Sequence, residues 1–323
     1  MAGPLFSRAG ARRTLSQFTT RLPARLAGLA GTAISLVCAL GAAVHAGEQN
    51  QIDIAVGYTR EALHAFQNDR SRLEAHILDH RDRANAILEA SGAPVRLNIL
   101  AVEAAADFRQ STFAADRKRF IRGRNGGEAI EQLRDRKGAD VRLLLVNYQG
   151  RGSRVHYGGI FDARRSRAEA LKNAYVMIGT NADEMTFAHE IGHVLGCQHA
   201  RRRPCLGARD GGLPFAYGFM SREGVGTIMA GSCATAELVP LYSNPALEHR
   251  YVPKDSAGEK VISLGSETAD CVRAMTNNAP VLAALNERIS EPLDDRPANV
   301  PLVADLAADG QAAEGHSSRP ENR

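Results

Sequence analysis

One stretch of eleven residues constrains this chain more than any other: His189-Glu190-Ile191-Gly192-His193-Val194-Leu195-Gly196-Cys197-Gln198-His199. The pattern is H-E-x-x-H-x-x-G-x-x-H. Asp183–Leu195 has helical patterning, with Asn181 or Asp183 as its N-cap. Residues four apart share one face of a helix, so His189 and His193 can bind one metal ion from the same side. Glu190 follows the first histidine, which brings its carboxylate beside the open coordination position. Gly196 lets the chain leave the helix sharply, through a conformation that costs other residues more. The turn then returns His199 as a third ligand. Three neutral imidazoles with one position left open describe a catalytic site for a single Zn2+ ion, not a closed structural one.

The surrounding pattern alternates strands and helices. Gln51–Val56 and Val95–Val102 alternate apolar with polar or small residues and predict strands. Between them, Arg60–Ala90 reads as one long helix, ended by Ser91-Gly92 and Pro94. Gly127–Arg136 predicts a short helix. Val141–Val146, Val155–Phe161 and Ala174–Ile178 predict three further strands. This order implies an α+β fold with a mixed sheet covered by helices. Gly196 to Pro253 is rich in Gly and Pro and predicts irregular backbone, and Ser266–Glu287 predicts a closing helix. The segment 287–323 is polar, acidic and without apolar periodicity, the profile of a disordered tail.

Charge first suggests a nucleic-acid partner, because 40 Lys and Arg face 36 Asp and Glu at a pI near 8.9. Five of those arginines precede Ala46, in a segment with no acid. Leu26 to Ala46 is uncharged and ends in Val44-His45-Ala46, with permissive residues at the −3 and −1 positions of a signal-peptidase site. Residues 1–46 therefore predict a cleaved export signal, and the basic character leaves with it. No P-loop, zinc-finger spacing or aromatic-basic interleaving supports nucleic-acid binding. A G-x-S-x-G nucleophile motif is also missing. Of the 5 cysteines, Cys38 lies in the signal. Cys197, Cys205, Cys233 and Cys271 remain, an even number that in an exported chain suggests two disulfides. Three pairings are open, and Cys197–Cys205 with Cys233–Cys271 needs the least rearrangement of the chain.

The eleven-residue pattern resembles that of the metzincin metallopeptidases. The resemblance implies a metzincin (zincin-like) fold: a mixed twisted sheet with two covering helices, an active-site helix, a methionine turn and a C-terminal helix. Gly226-Thr227-Ile228-Met229-Ala230-Gly231 matches the methionine turn, with Met229 as the base of the site. Ile52-Asp53-Ile54-Ala55-Val56-Gly57-Tyr58-Thr59, Phe215-Ala216-Tyr217-Gly218-Phe219 and Leu241-Tyr242-Ser243-Asn244-Pro245 resemble segments of bacterial reprolysin-like and peptidyl-Asp metallopeptidases. Two positions depart from the wider family. Ala200 stands where reprolysins carry Asp, and Gly231 stands where some metzincins carry Tyr.

The expected function is that of a secreted or periplasmic, monomeric zinc endopeptidase with its catalytic domain at 47–286. It would act on protein or peptide substrates, with no nucleic-acid partner and no membrane contact after signal cleavage. Glu190 is the expected general base and acid. An extended substrate would add to the sheet edge at Val155–Ile160, where Gly158 and Gly159 allow close backbone approach beside Ile160. Ala230 to His249 would wall the pocket for the residue after the cleaved bond. That wall offers Leu238, Val239 and Leu241, carries Glu237 and has no Lys or Arg, so it predicts an apolar preference over Asp. A cation from outside that wall could come from Arg201–Arg203 or Arg222, although a solvated loop accounts for them. The alternative is a non-catalytic zinc- or peptide-binding module, which would have no need of Glu190.

Overall fold

The computed structural model describes residues 49–148, 156–201, 212–234, 237–253 and 258–286. Residues 1–46, expected to form an export signal, the segment from 287, Val155, Arg202, Arg203 and Cys205 lie outside the described residues. The chain opens with strand β1 (Asn50–Tyr58), helices α1 (Arg60–Ala65) and α2 (Arg70–Ser91), and strand β2 (Val95–Ala104). Helices α3 (Phe113–Ile121) and α4 (Gly127–Lys137) follow, then β3 (Val141–Val146) and β4 (His156–Gly158). Next come α5 (Arg167–Asn173), β5 (Tyr175–Gly179) and α6 (Glu184–Val194). Beyond these lie β6 (Val225–Thr227), β7 (Glu237–Val239), β8 (Asn244–Tyr251), β9 (Lys260–Leu264) and α7 (Cys271–Ala283).

Five strands form one mixed sheet in the order β2-β1-β3-β5-β4. The β1–β2, β1–β3 and β3–β5 pairs are parallel, and the edge strand β4 runs antiparallel to β5. Alternation along each strand gives the sheet two apolar faces. Val141, Leu143 and Leu145 of β3 join a core with Leu73 and Ile77 of α2, Ile191 of α6 and Met275 of α7. Leu144 and Val146 face the other way, onto Phe120 of α3 and Ile130 of α4. The sheet is thus sandwiched, with α6 on the same face as α2 and α7. No helix among the described residues is long and apolar enough to cross a membrane.

Several expectations need correction. The long helix is two helices, because Gln67 and Asn68 take positive φ (58° and 60°) and Asp69 caps a new start. Neither Gly nor Pro marks that break. Helices α3 and α5 are additional, each short and started by a hydroxyl cap, Thr112 or Ser166. The 196–253 segment holds strands β6, β7 and β8, where β6 pairs in parallel with β7 and β8 pairs antiparallel with β9. The closing helix starts at Cys271, because Asp270 caps it by accepting from the Arg273 backbone N–H. Of the expected disulfides, Cys197 pairs with Cys271, at a Cα–Cα distance of 5.4 Å and a separation of 74 residues. Minimal chain separation was the wrong guide, because the exit of α6 packs against the start of α7.

Candidate active site

Asp183 caps α6, its Oδ1 accepting from the backbone N–H and the hydroxyl of Thr186 at 2.8 and 2.6 Å. The helix ends at Val194, and Gly196 takes φ +93°. A Cβ at Gly196 would also lie 1.9 Å from Asn278 Nδ2 of α7. Asn278 donates to the Leu195 carbonyl at 3.1 Å and accepts from the Ala163 backbone N–H at 3.2 Å, so it ties this exit in place. The Cys197–Cys271 bridge fixes the next residue to α7. The chain then returns, with Gln198 bonded to the Ala216 carbonyl and Ala200 to that of Met229.

This return brings three imidazoles together. His199 Nε2 lies 2.9 Å from His189 Nε2 and 3.1 Å from His193 Nε2. The remaining nitrogens of two rings face carbonyls: His189 Nδ1 lies 3.0 Å from the Ile228 oxygen and His193 Nδ1 2.8 Å from the Cys197 oxygen. A carbonyl only accepts, so each Nδ1 carries the proton and each neutral ring turns an Nε2 lone pair inward. Converging lone pairs repel unless a cation sits between them. Nitrogens held about 2.0–2.1 Å from one tetrahedral ion stand ~3.3 Å apart, close to the observed spacing. These residues therefore fit a single metal ion. Burial pushes the His193 pKa down to about 3, which keeps that ring in the neutral form a metal needs.

Glu190 is 2% exposed. His156 Nδ1 on β4 lies 2.6 Å from its Oε1. Burial would raise the Glu190 pKa, but the hydrogen bond to His156 and the electrostatic effect of the surrounding His193, His189 and His156 rings outweigh it, and the net direction is down. Gly158 packs so closely on α6 that a Cβ there would lie 2.6 Å from the Glu190 carbonyl and 3.0 Å from its Oε2. The space beside Gly159 is filled in the same way by Asn173 and Tyr175. Internal packing thus accounts for both glycines. Gly159 and half-buried Ile160 line a cleft of about 200 Å³ that reaches Gln198, the neighbour of His199.

Met229 is fully buried beneath α6. A Cβ on Gly192, inside the motif, would lie 2.5 Å from its sulfur. Tyr242 supports the same helix, its hydroxyl donating to the Ala188 carbonyl at 2.5 Å. The expected pocket wall is less open than its composition suggests. Val239 is 3% exposed in a cluster with Val225, Tyr251 and Leu264, and Leu241 packs onto that cluster. Leu238 stays half-buried, and Glu237 pairs with His249 at 3.0 Å. Arg201 donates to the Tyr217 hydroxyl and stacks 3.8 Å over its ring, while Arg222 is exposed. The sequence reading assigned no role to His156, Asn278 or Tyr242. The signal for His156 was strand alternation, which puts it on the face of Gly158.

Comparison with known proteins gives concordant matches. Residues 48–239 match the model of Metallo-peptidase family M12. A peptidyl-Asp metalloendopeptidase of Pseudomonas aeruginosa is 28% identical over 294 residues, 85% of this chain and 45% of the relative. One of Xanthomonas campestris pv. campestris is 28% identical over 245 residues, covering 74% and 52%. The chain thus spans about half the length of these relatives. A solved chain described as part of a chaperone-substrate complex shares the fold, with a TM-score of 0.54 at 20% identity over 74% of this chain and 35% of that one.

Proposed function

The chain belongs to Metallo-peptidase family M12, and from that premise we propose that it is an exported zinc endopeptidase. In this reading residues 1–46 are a cleaved signal, 47–286 form a monomeric catalytic domain of metzincin type, and 287–323 are a disordered tail. The observation that carries the proposal is the convergence of His189, His193 and His199 with Glu190 beside them. His189, His193 and His199 hold the ion, and Met229 on its turn supports the helix that carries the first two.

Zinc, when bound, supplies a Lewis acid and brings the pKa of a water in its open position towards neutrality. Glu190 accepts a proton as water attacks the scissile carbonyl, then delivers it to the leaving amine. The substrate backbone pairs with the outer edge of β4. Its side chain after the cleaved bond meets a wall that has Leu238 and Glu237 and lacks Lys and Arg from Ala230 to His249. We propose an apolar preference there, although relatives carry an aspartyl preference in their name.

The test uses protein expressed from the full chain. Metal analysis is expected to find one zinc per chain. Casein hydrolysis is expected to stop with chelator and return with zinc. Hydrolysis absent from zinc-loaded protein would favour a peptide-binding module instead. Sequencing the products of a peptide library addresses specificity: selection for Leu or Phe after the cleaved bond is expected, and strong selection for Asp contradicts the apolar wall.

A further inference from the structure

The mechanism above leaves one close contact unused, the pairing of His156 with Glu190. We propose that His156 is a positioning residue for the base, fixing the Glu190 carboxylate from the edge strand. The inference rests on the peptidase reading and deepens it at the same site.

The need for such a residue follows from glutamate itself. Its terminal torsion is broad and has no strongly preferred well, so neighbours must set the direction of the two oxygens. Glu190 is buried, and a buried carboxylate without a partner is costly. His156 answers both requirements: its Nδ1 lies 2.6 Å from Oε1 although the imidazole is 39% exposed. Oε1 is thereby engaged, and Oε2 is the oxygen left to exchange a proton with water. A carboxylate that serves as base only accepts, so the proton of this contact lies on His156 Nδ1. Gly158 completes the seat, since its bare Cα faces Oε2 and any side chain would occupy that space. His156 and Gly158 lie on the same face of β4, two residues apart. The strand proposed to pair with substrate therefore also holds the base. A peptide bound on its outer edge would steady both at once.

Positioning predicts a loss in turnover without a loss in binding. In zinc-loaded protein from the full chain, His156→Ala is expected to lower kcat about 10- to 100-fold, with KM and zinc content unchanged. His156→Asn is expected to recover most of that loss, because asparagine places an N–H the same number of bonds from Cβ as Nδ1. His156→Gln, one bond longer, is expected to remain impaired. A second readout does not depend on turnover. With nitrogen-15-labelled histidine, the His156 Nδ1 proton is expected downfield in the wild type and shifted upfield in Glu190→Ala. An undiminished kcat in His156→Ala, a change in KM alone, or an Asn variant no better than Ala overturns the inference. So does an Nδ1 proton indifferent to Glu190. Zinc-loaded wild type that cleaves nothing overturns the peptidase reading together with this one, and an active Glu190→Gln overturns Glu190 as the base and this inference with it. Active wild type with an undiminished His156→Ala overturns only this one.

Discussion

At the scale of single residues, the site and the core follow one rule: a buried polar group persists where partners surround it. Asp116 is the clearest case away from the site. It is fully buried, accepts from the Ser111 backbone N–H at 2.8 Å, the Ser111 hydroxyl at 2.6 Å and the Tyr148 hydroxyl at 2.7 Å, and pairs with Arg119. Burial raises its pKa, but the bonds from Ser111, Tyr148 and Arg119 outweigh it, and the net direction is down. A depressed carboxylate stabilises the fold above the ordinary aspartate range, near ~3.9, and loses that contribution as pH falls through the lower folded value. Asp116→Asn is therefore expected to cost about 1.5–3 kcal/mol at neutral pH. Denaturant titrations should show the gap from wild type narrowing in strong acid, and an equal gap at both pH values would contradict the assignment. The three histidines were legible in sequence because their geometry is local, two on one helix face and one past a glycine turn. His156 was not, because its partner lies 34 residues away across a strand-to-helix contact.

At the scale of elements, α6 is held from three sides: by β4 above its motif, by Met229 and Tyr242 beneath it, and by α7 at its exit. Gly158→Ala is expected to force β4 away from α6, because the new carbon would meet the Glu190 carbonyl at 2.6 Å. Activity should fall sharply in a protein that still binds zinc, and wild-type activity in this variant would refute the close approach. Replacing Cys197 and Cys271 with serine removes a bridge across 74 residues and is expected to cost about 2–4 kcal/mol. Thermal unfolding with and without the substitutions checks this. The strands were legible from alternation, and β3 falls where its apolar run predicted. The break between α1 and α2 was hidden, since Gln67 carries no signal for positive φ and the tolerance of Asn68 for it does not by itself end a helix. The Cys197–Cys271 pair was hidden too, because it depends on how α7 folds back onto α6. Neither fact is written in local pattern.

At the scale of the whole molecule, a mixed five-stranded sheet sets an antiparallel edge strand against the motif helix, and the proposed substrate peptide would pair along that strand. The five arginines before Ala46 belong to the proposed export signal. N-terminal sequencing of protein recovered from outside the cytoplasm is expected to begin at Gly47, and an intact Met1 would contradict that proposal. The central claim is narrower: three histidines hold a metal ion and one buried carboxylate moves the proton. Its most direct measurement compares wild type with Glu190→Gln for bound zinc and for peptide hydrolysis in the same preparation. We expect equal zinc in both and hydrolysis about 10²- to 10⁴-fold slower in the variant. Undiminished hydrolysis, or a wild type that carries zinc and cleaves no peptide, would contradict the account.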